Sequence, residues 1–126
     1  MKKIFCIICL GLWLVACGGG ELPLPDDQNG VFRGNLTYSE AEDVLFDACT
    51  RAKWQVVDKG QNYMTINLDH KGFSFDADIR YTNSKYAIIF KRVNEDRGST
   101  KEAYAVYKKY AIKLNKTIQK TGYNKR

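Results

Sequence analysis

Histidine is almost absent: His70 is the single imidazole in 126 residues. A metal site generally needs three or four ligands from His, Cys and carboxylates. The acids nearest to His70 in sequence, Asp69, Asp76 and Asp78, follow no ligand spacing. A Ser-His-Asp or Cys-His arrangement would have to run through this residue, which sits in a DHKG turn and is expected to be exposed. The glycines follow no phosphate-cradling pattern, because GGG at 18–20 is preceded by no strand. Long apolar runs are missing too. The longest, Ile4 to Ala16, falls short of the roughly 20 residues that span a bilayer. No metal, cofactor or nucleotide site is expected, and the chain does not read as an enzyme.

What is present at the start is an export signal. Met1, Lys2 and Lys3 place positive charge before the apolar run, the order of a signal-peptide n-region and h-region. Leu14, Val15 and Ala16 then lead directly into Cys17. This LVAC stretch resembles the lipobox of bacterial lipoproteins, in which the peptidase cuts before an invariant cysteine. The resemblance implies a signal peptide over 1–16 and an acylated Cys17 at the new N-terminus. Gly18 follows where, in enterobacterial-type lipoproteins, an Asp favours the inner membrane, so an outer-membrane address facing the periplasm is implied. Four cysteines are thereby reduced to one free thiol. Cys6 and Cys9 leave with the signal, Cys17 is a thioether, and Cys49 has no partner for an intramolecular disulfide. An exported domain without such staples is held by its core.

From Cys17 to Leu36 the chain is rich in Gly, Pro, Asp and Asn and has neither helical nor strand period. It reads as a flexible tether reaching about 25 Å. The domain is expected over 37–120, followed by a basic tail, 121–126. Capping boxes at Thr37/Glu40 or Ser39/Glu42 open a helix. Its stripe is Ala41, Val44, Leu45, Ala48, Cys49 and Ala52, with Cys49 a buried small hydrophobe. Four strands follow, over Trp54–Asp58, around Met64, Ile66 and Leu68, over Phe73–Tyr81 and over Tyr86–Val93, with short turns between them. A second helix begins at the Ser99/Glu102 box and carries Ala103, Val106, Tyr107, Tyr110, Ala111, Leu114 and Ile118 on one face. The expected fold is α+β in two layers: a four-stranded antiparallel meander with two helices on one face, in the order α-β-β-β-β-α.

These positions resemble a family of small proteobacterial lipoproteins with the same order of elements. The likeness centres on DADIRYTNSKYAIIF, residues 76–90. It continues in Tyr107, Tyr110, Ala111, Leu114 and Ile118, and includes Trp54 and the Lys71-Gly72-Phe73 step. No biochemical activity is assigned to that family, so the resemblance implies a fold and an address and no mechanism.

Charge is distributed unevenly. Cys17 to Thr100 holds ten basic and thirteen acidic residues, whereas Lys101 to Arg126 holds eight basic and one acidic. Lys109, Lys113, Lys116 and Lys120 recur at helical spacing beside the apolar stripe. Such a stripe is either a solvated face or a contact for an anionic surface, such as lipid headgroups, an anionic wall polymer or an acidic protein. An exported protein would seldom meet nucleic acid, and none is expected as a partner. Asp76 and Asp78 lie on one strand face that is expected to be wet, with Arg80 or Lys91 offsetting their charge. The expected function is that of a non-catalytic binding or structural module of the cell envelope. The alternative is an accessory subunit of an envelope assembly or transport machine, docking through a sheet edge or through Ile89 and Ile112. A periplasmic enzyme working through His70, Asp76 or Asp78 is the remaining reading.

Overall fold

A computed structural model describes residues 23–121. The expected signal peptide, Cys17, residues 18–22 of the expected tether and residues 122–126 of the expected tail lie outside the described residues. The elements are β1 (Gln28–Val31), α1 (Tyr38–Arg51), β2 (Gln55–Lys59), β3 (Tyr63–His70), β4 (Phe73–Tyr81), β5 (Lys85–Asp96) and α2 (Thr100–Thr121). The fold is α+β, with an antiparallel sheet and two helices.

Strands β2 to β5 form the expected meander, but the sheet has five strands and not four. Its order is β1-β5-β4-β3-β2. The additional strand, QNGV, lies inside the stretch read as tether. It pairs antiparallel with β5, Gln28 opposite Ile88 and Val31 opposite Lys85. Four residues with one large apolar side chain carry little periodicity, and the pairing partner is more than fifty positions away in sequence. What holds β1 is tertiary. The buried ring of Tyr86 lies where a Cβ on Gly30 would stand, and Phe32 packs against it at 5.1 Å between ring centroids. The Tyr86 hydroxyl donates to Asn115 Oδ1 and accepts from Gln119 Nε2 at 2.6 Å, both on α2.

Local signals account for the remaining elements. Thr37 caps α1 in a full capping box with Glu40, so of the two candidate boxes the chain uses the earlier. The helix ends in a Schellman motif, in which Trp54 N–H bonds Cys49 O at 2.8 Å and Lys53 N–H bonds Thr50 O at 3.2 Å. Lys53 occupies the left-handed position, φ 72°, where glycine is the usual residue. Lys71 and Gly72 both have positive φ, the requirement of the two-residue turn that joins β3 to β4. Ser99 Oγ accepts from Glu102 N–H at 3.2 Å at the start of α2. The second strand extends to His70 and the last runs on to Asp96, three residues beyond the expected end.

Strand alternation sends Met64, Ile66, Leu68, Phe73, Phe75, Ala77, Ile79, Tyr81, Tyr86 and Ile88 into one buried cluster with the stripes of both helices. Tyr107 lies at its centre, with Phe90, Phe75 and Trp54 edge-on at 5.0, 5.8 and 6.1 Å. Cys49 is buried, and burial pushes its thiol up to about 12. It is a packed hydrophobe at neutral pH, as its place in the stripe implied.

Because any side chain at position 30 must displace Tyr86, Gly30→Val is expected to destabilise the fold by about 1–3 kcal/mol. Urea denaturation followed by circular dichroism measures this. An unchanged midpoint would mean that β1 does not contribute to the cooperative unit.

Candidate functional site

Helix α2 is long because its composition suits a helix and one face is apolar throughout. The buried residues Ala103, Tyr107, Ala111, Leu114, Ile118 and Thr121 define that inner face. At 100° per residue, Lys109, Lys113, Lys116 and Lys120 fall on the side nearly opposite, and all four are exposed. Lys101 and Lys108, also exposed, lie toward one flank of this ridge. Among the described residues none of these six lysines forms an ion pair. The structure thus brings the four expected lysines together as one cationic ridge. The ammonium groups of Lys109 and Lys113 lie 5.6 and 5.9 Å from the Tyr110 ring, contacts that orient the ridge at modest energy.

Tyr110 also explains His70. Expected in an exposed turn, this residue is instead the last of β3 and half-buried. Its Nε2 stands 3.1 Å from the Tyr110 hydroxyl, with ring centroids 4.9 Å apart. It joins the sheet to α2. The Tyr110 side chain makes this possible because it leaves the helix between the inner face and the lysine ridge, a relation between distant elements that sequence spacing does not show.

The outer face of the sheet divides into two parts. In one, carboxylates and their partners satisfy each other. Asp76 accepts from Arg92 Nη1 at 2.8 Å, Asn67 Nδ2 at 2.9 Å and Asn94 Nδ2 at 3.1 Å. Asp78 accepts from Thr65 Oγ1 at 2.7 Å and lies 3.7 Å from Lys91 Nζ. Lys91 offsets Asp78 as expected, whereas Arg92, and not Arg80, is the partner of Asp76. Register irregularities in β5 opposite Ser74–Phe75 and Asp76–Ala77 are what allow it to supply Lys91, Arg92 and Asn94 to this network.

The second part is a shallow depression of about 760 Å³ at the β1 side. Asn29, Val31, Arg80, Lys85 and Ala87 are among the residues that line it. Arg80 and Lys85 are exposed and have no ion-pair partner among the described residues. The β4–β5 hairpin brings the two cations near one another, Arg80 standing opposite Ala87, and β1 adds the wall formed by Asn29 and Val31, which the sequence reading could not supply. Among the described residues no three His, Cys, Asp or Glu side chains gather closely enough to hold a metal ion.

The carboxylate with a displaced pKa belongs to neither part. Glu42, on α1, accepts from the Tyr81 hydroxyl at 2.6 Å and lies 3.0 Å from Lys59 Nζ. The Tyr81 bond, with Lys59 adding to it, holds Glu42 below the usual glutamate value against the opposing effect of burial. Burial and the same bond raise Tyr81. Tyr38 stacks on Tyr81 at 5.5 Å, and its hydroxyl donates to Gln61 O. This cluster pins α1 to β2 and β4, a structural task.

Comparison with known proteins returned no matching family model, no matching curated protein and no matching solved structure.

A carboxylate whose folded pKa is depressed stabilises the fold above its unfolded pKa, and that stability is lost as pH falls through the folded value. The Glu42 contribution should therefore be fully present at pH 7 and decline below about pH 4.5. Glu42→Gln is expected to cost about 1–2 kcal/mol at pH 7, with the difference from the parent shrinking on acidification. Urea midpoints at pH 7 and pH 3.5 test this; a difference equal at both would contradict the assignment.

Proposed function

We propose that the chain is a cell-envelope lipoprotein, anchored in the outer membrane through an acylated Cys17 and facing the periplasm. Its domain is a non-catalytic binding or structural module that meets an anionic envelope component through the lysine ridge of α2. The observation that carries the anchor is the sequence LVAC at the end of a charged, then apolar, N-terminus. Two or more acyl chains on one cysteine would make membrane attachment stable, at about 0.8 kcal/mol per buried CH₂. What supports the ridge as a contact is its charge. Six lysines occupy exposed positions on one helix whose only acid is Glu102, and none is neutralised by the fold among the described residues. A helix face kept for solubility alone commonly mixes both signs.

A second reading, an accessory subunit of an envelope assembly, is favoured by the depression between β1 and β4. A partner carrying a carboxylate would find Arg80 and Lys85 unpaired beside the small apolar surface of Val31 and Ala87.

Cys17→Ala is expected to abolish incorporation of labelled palmitate and to leave a precursor that keeps residues 1–16, detected by its slower migration. A variant that is processed and localised like the parent would overturn the anchor.

A further inference from the structure

The segment that follows the cysteine is shorter, as a tether, than its composition suggests. Pro23, Leu24, Pro25 and Asp26 lie beside Tyr104, Ala105 and Lys108, sharing a shallow cavity with them on the first half of α2. Val31 continues alongside the second half, its carbonyl accepting from Gln119 Nε2 at 3.5 Å. The chain from Pro23 to Val31 therefore runs along α2. Cys17 precedes Pro23 by six positions. Six residues reach at most about 22 Å, about twice the diameter of one helix.

Resting on the reading that Cys17 is acylated, we propose that α2 lies on the membrane in which Cys17 is embedded. Its lysine ridge then faces the anionic headgroups of that leaflet. Two independent features select this occupant over a distant polymer or a soluble acidic protein. The first is reach. Acyl chains on Cys17 bring the headgroup plane to within a few residues of Pro23, and α2 is the element against which Pro23 lies. The second is charge. Lys109, Lys113, Lys116 and Lys120 span about 16 Å along the helix axis and extend an unpaired cationic surface beside that attachment point. The sheet packs on the opposite side of α2 from the ridge. β2, the sheet edge farthest from β1, is thereby held away from the bilayer.

The test uses the full lipidated chain on vesicles, with a spin label on Ala105→Cys in α2 or on Val57→Cys in β2. Both positions are exposed, Cys49 is buried and Cys17 is occupied by lipid. Vesicles contain phosphatidylglycerol in phosphatidylcholine, with a trace of a nickel-chelating lipid as a headgroup relaxation agent. Relaxation of the α2 label is expected to exceed that of the β2 label by roughly threefold or more, because headgroup charge attracts each lysine near the surface. The excess should fall severalfold on pure phosphatidylcholine and when Lys109, Lys113, Lys116 and Lys120 are all replaced by Gln, down to what the short leash alone maintains, while the chain still floats with the vesicles. Equal relaxation at both labels on anionic vesicles, or an excess that the four substitutions leave unchanged, would overturn the docking of α2. A chain that does not float would instead overturn the acylation of Cys17 and the docking with it, so the two failures are read separately.

Discussion

One side chain joins the three parts on which the rest of the molecule depends. Tyr86 lies on β5, covers the bare backbone of Gly30 on β1, and is hydrogen-bonded to Asn115 and Gln119 on α2. A buried phenol usually finds a partner for its hydroxyl; that of Tyr107 has none, whereas α2 supplies two to Tyr86. Without that contact β1 would be a short polar strand with little to retain it, since four residues of ladder do not offset the entropy of ordering the chain before them. With it, the N-terminal segment is committed to the side of α2, and covalent geometry limits how far Cys17, six positions before Pro23, can lie from that helix.

The two polar surfaces then acquire different characters. On the sheet, carboxylates are surrounded by amides, a hydroxyl and basic side chains, so that Asp76 and Asp78 are satisfied within the fold. On α2 the lysines have no ion-pair partner among the described residues, and two of them lie over the face of Tyr110. A satisfied network specifies structure, whereas an exposed ridge of one sign sets up a field that extends into the solvent. The division also accounts for the charge asymmetry between the two parts of the sequence. Acids are concentrated where strands and α1 consume them, and bases are concentrated on the helix that faces outward.

Much of this architecture was legible from the residues, for identifiable reasons. Both helices carry a capping hydroxyl and a continuous apolar stripe, and β4 alternates so strictly that its ends, Phe73 and Tyr81, coincide with the expectation. Cys49 was placed by its position in the α1 stripe alone. Features that depend on distant contacts were not legible. β1 has almost no pattern of its own, and its Gly and Asn look like those of a linker. The role of His70 depends on Tyr110, forty positions later, and that of Glu42 on Tyr81 from another layer. The depression at Arg80 and Lys85 exists because β1 closes one side of it. The grouping of the four lysines, by contrast, was readable, because i, i+4, i+7 and i+11 spacing is a property of one helix and needs no partner to define it, although the ridge stands nearly opposite the buried face and not beside it.

The central claim is that this domain is held to a membrane through Cys17 on a leash of a few residues. The intact mass of the chain extracted from membranes tests it most directly. The account predicts a mature chain beginning at Cys17 whose excess mass equals a thioether-linked diacylglycerol with a further acyl group on the amine. A chain that retains Met1, or one cleaved elsewhere with Cys17 unmodified, would contradict it.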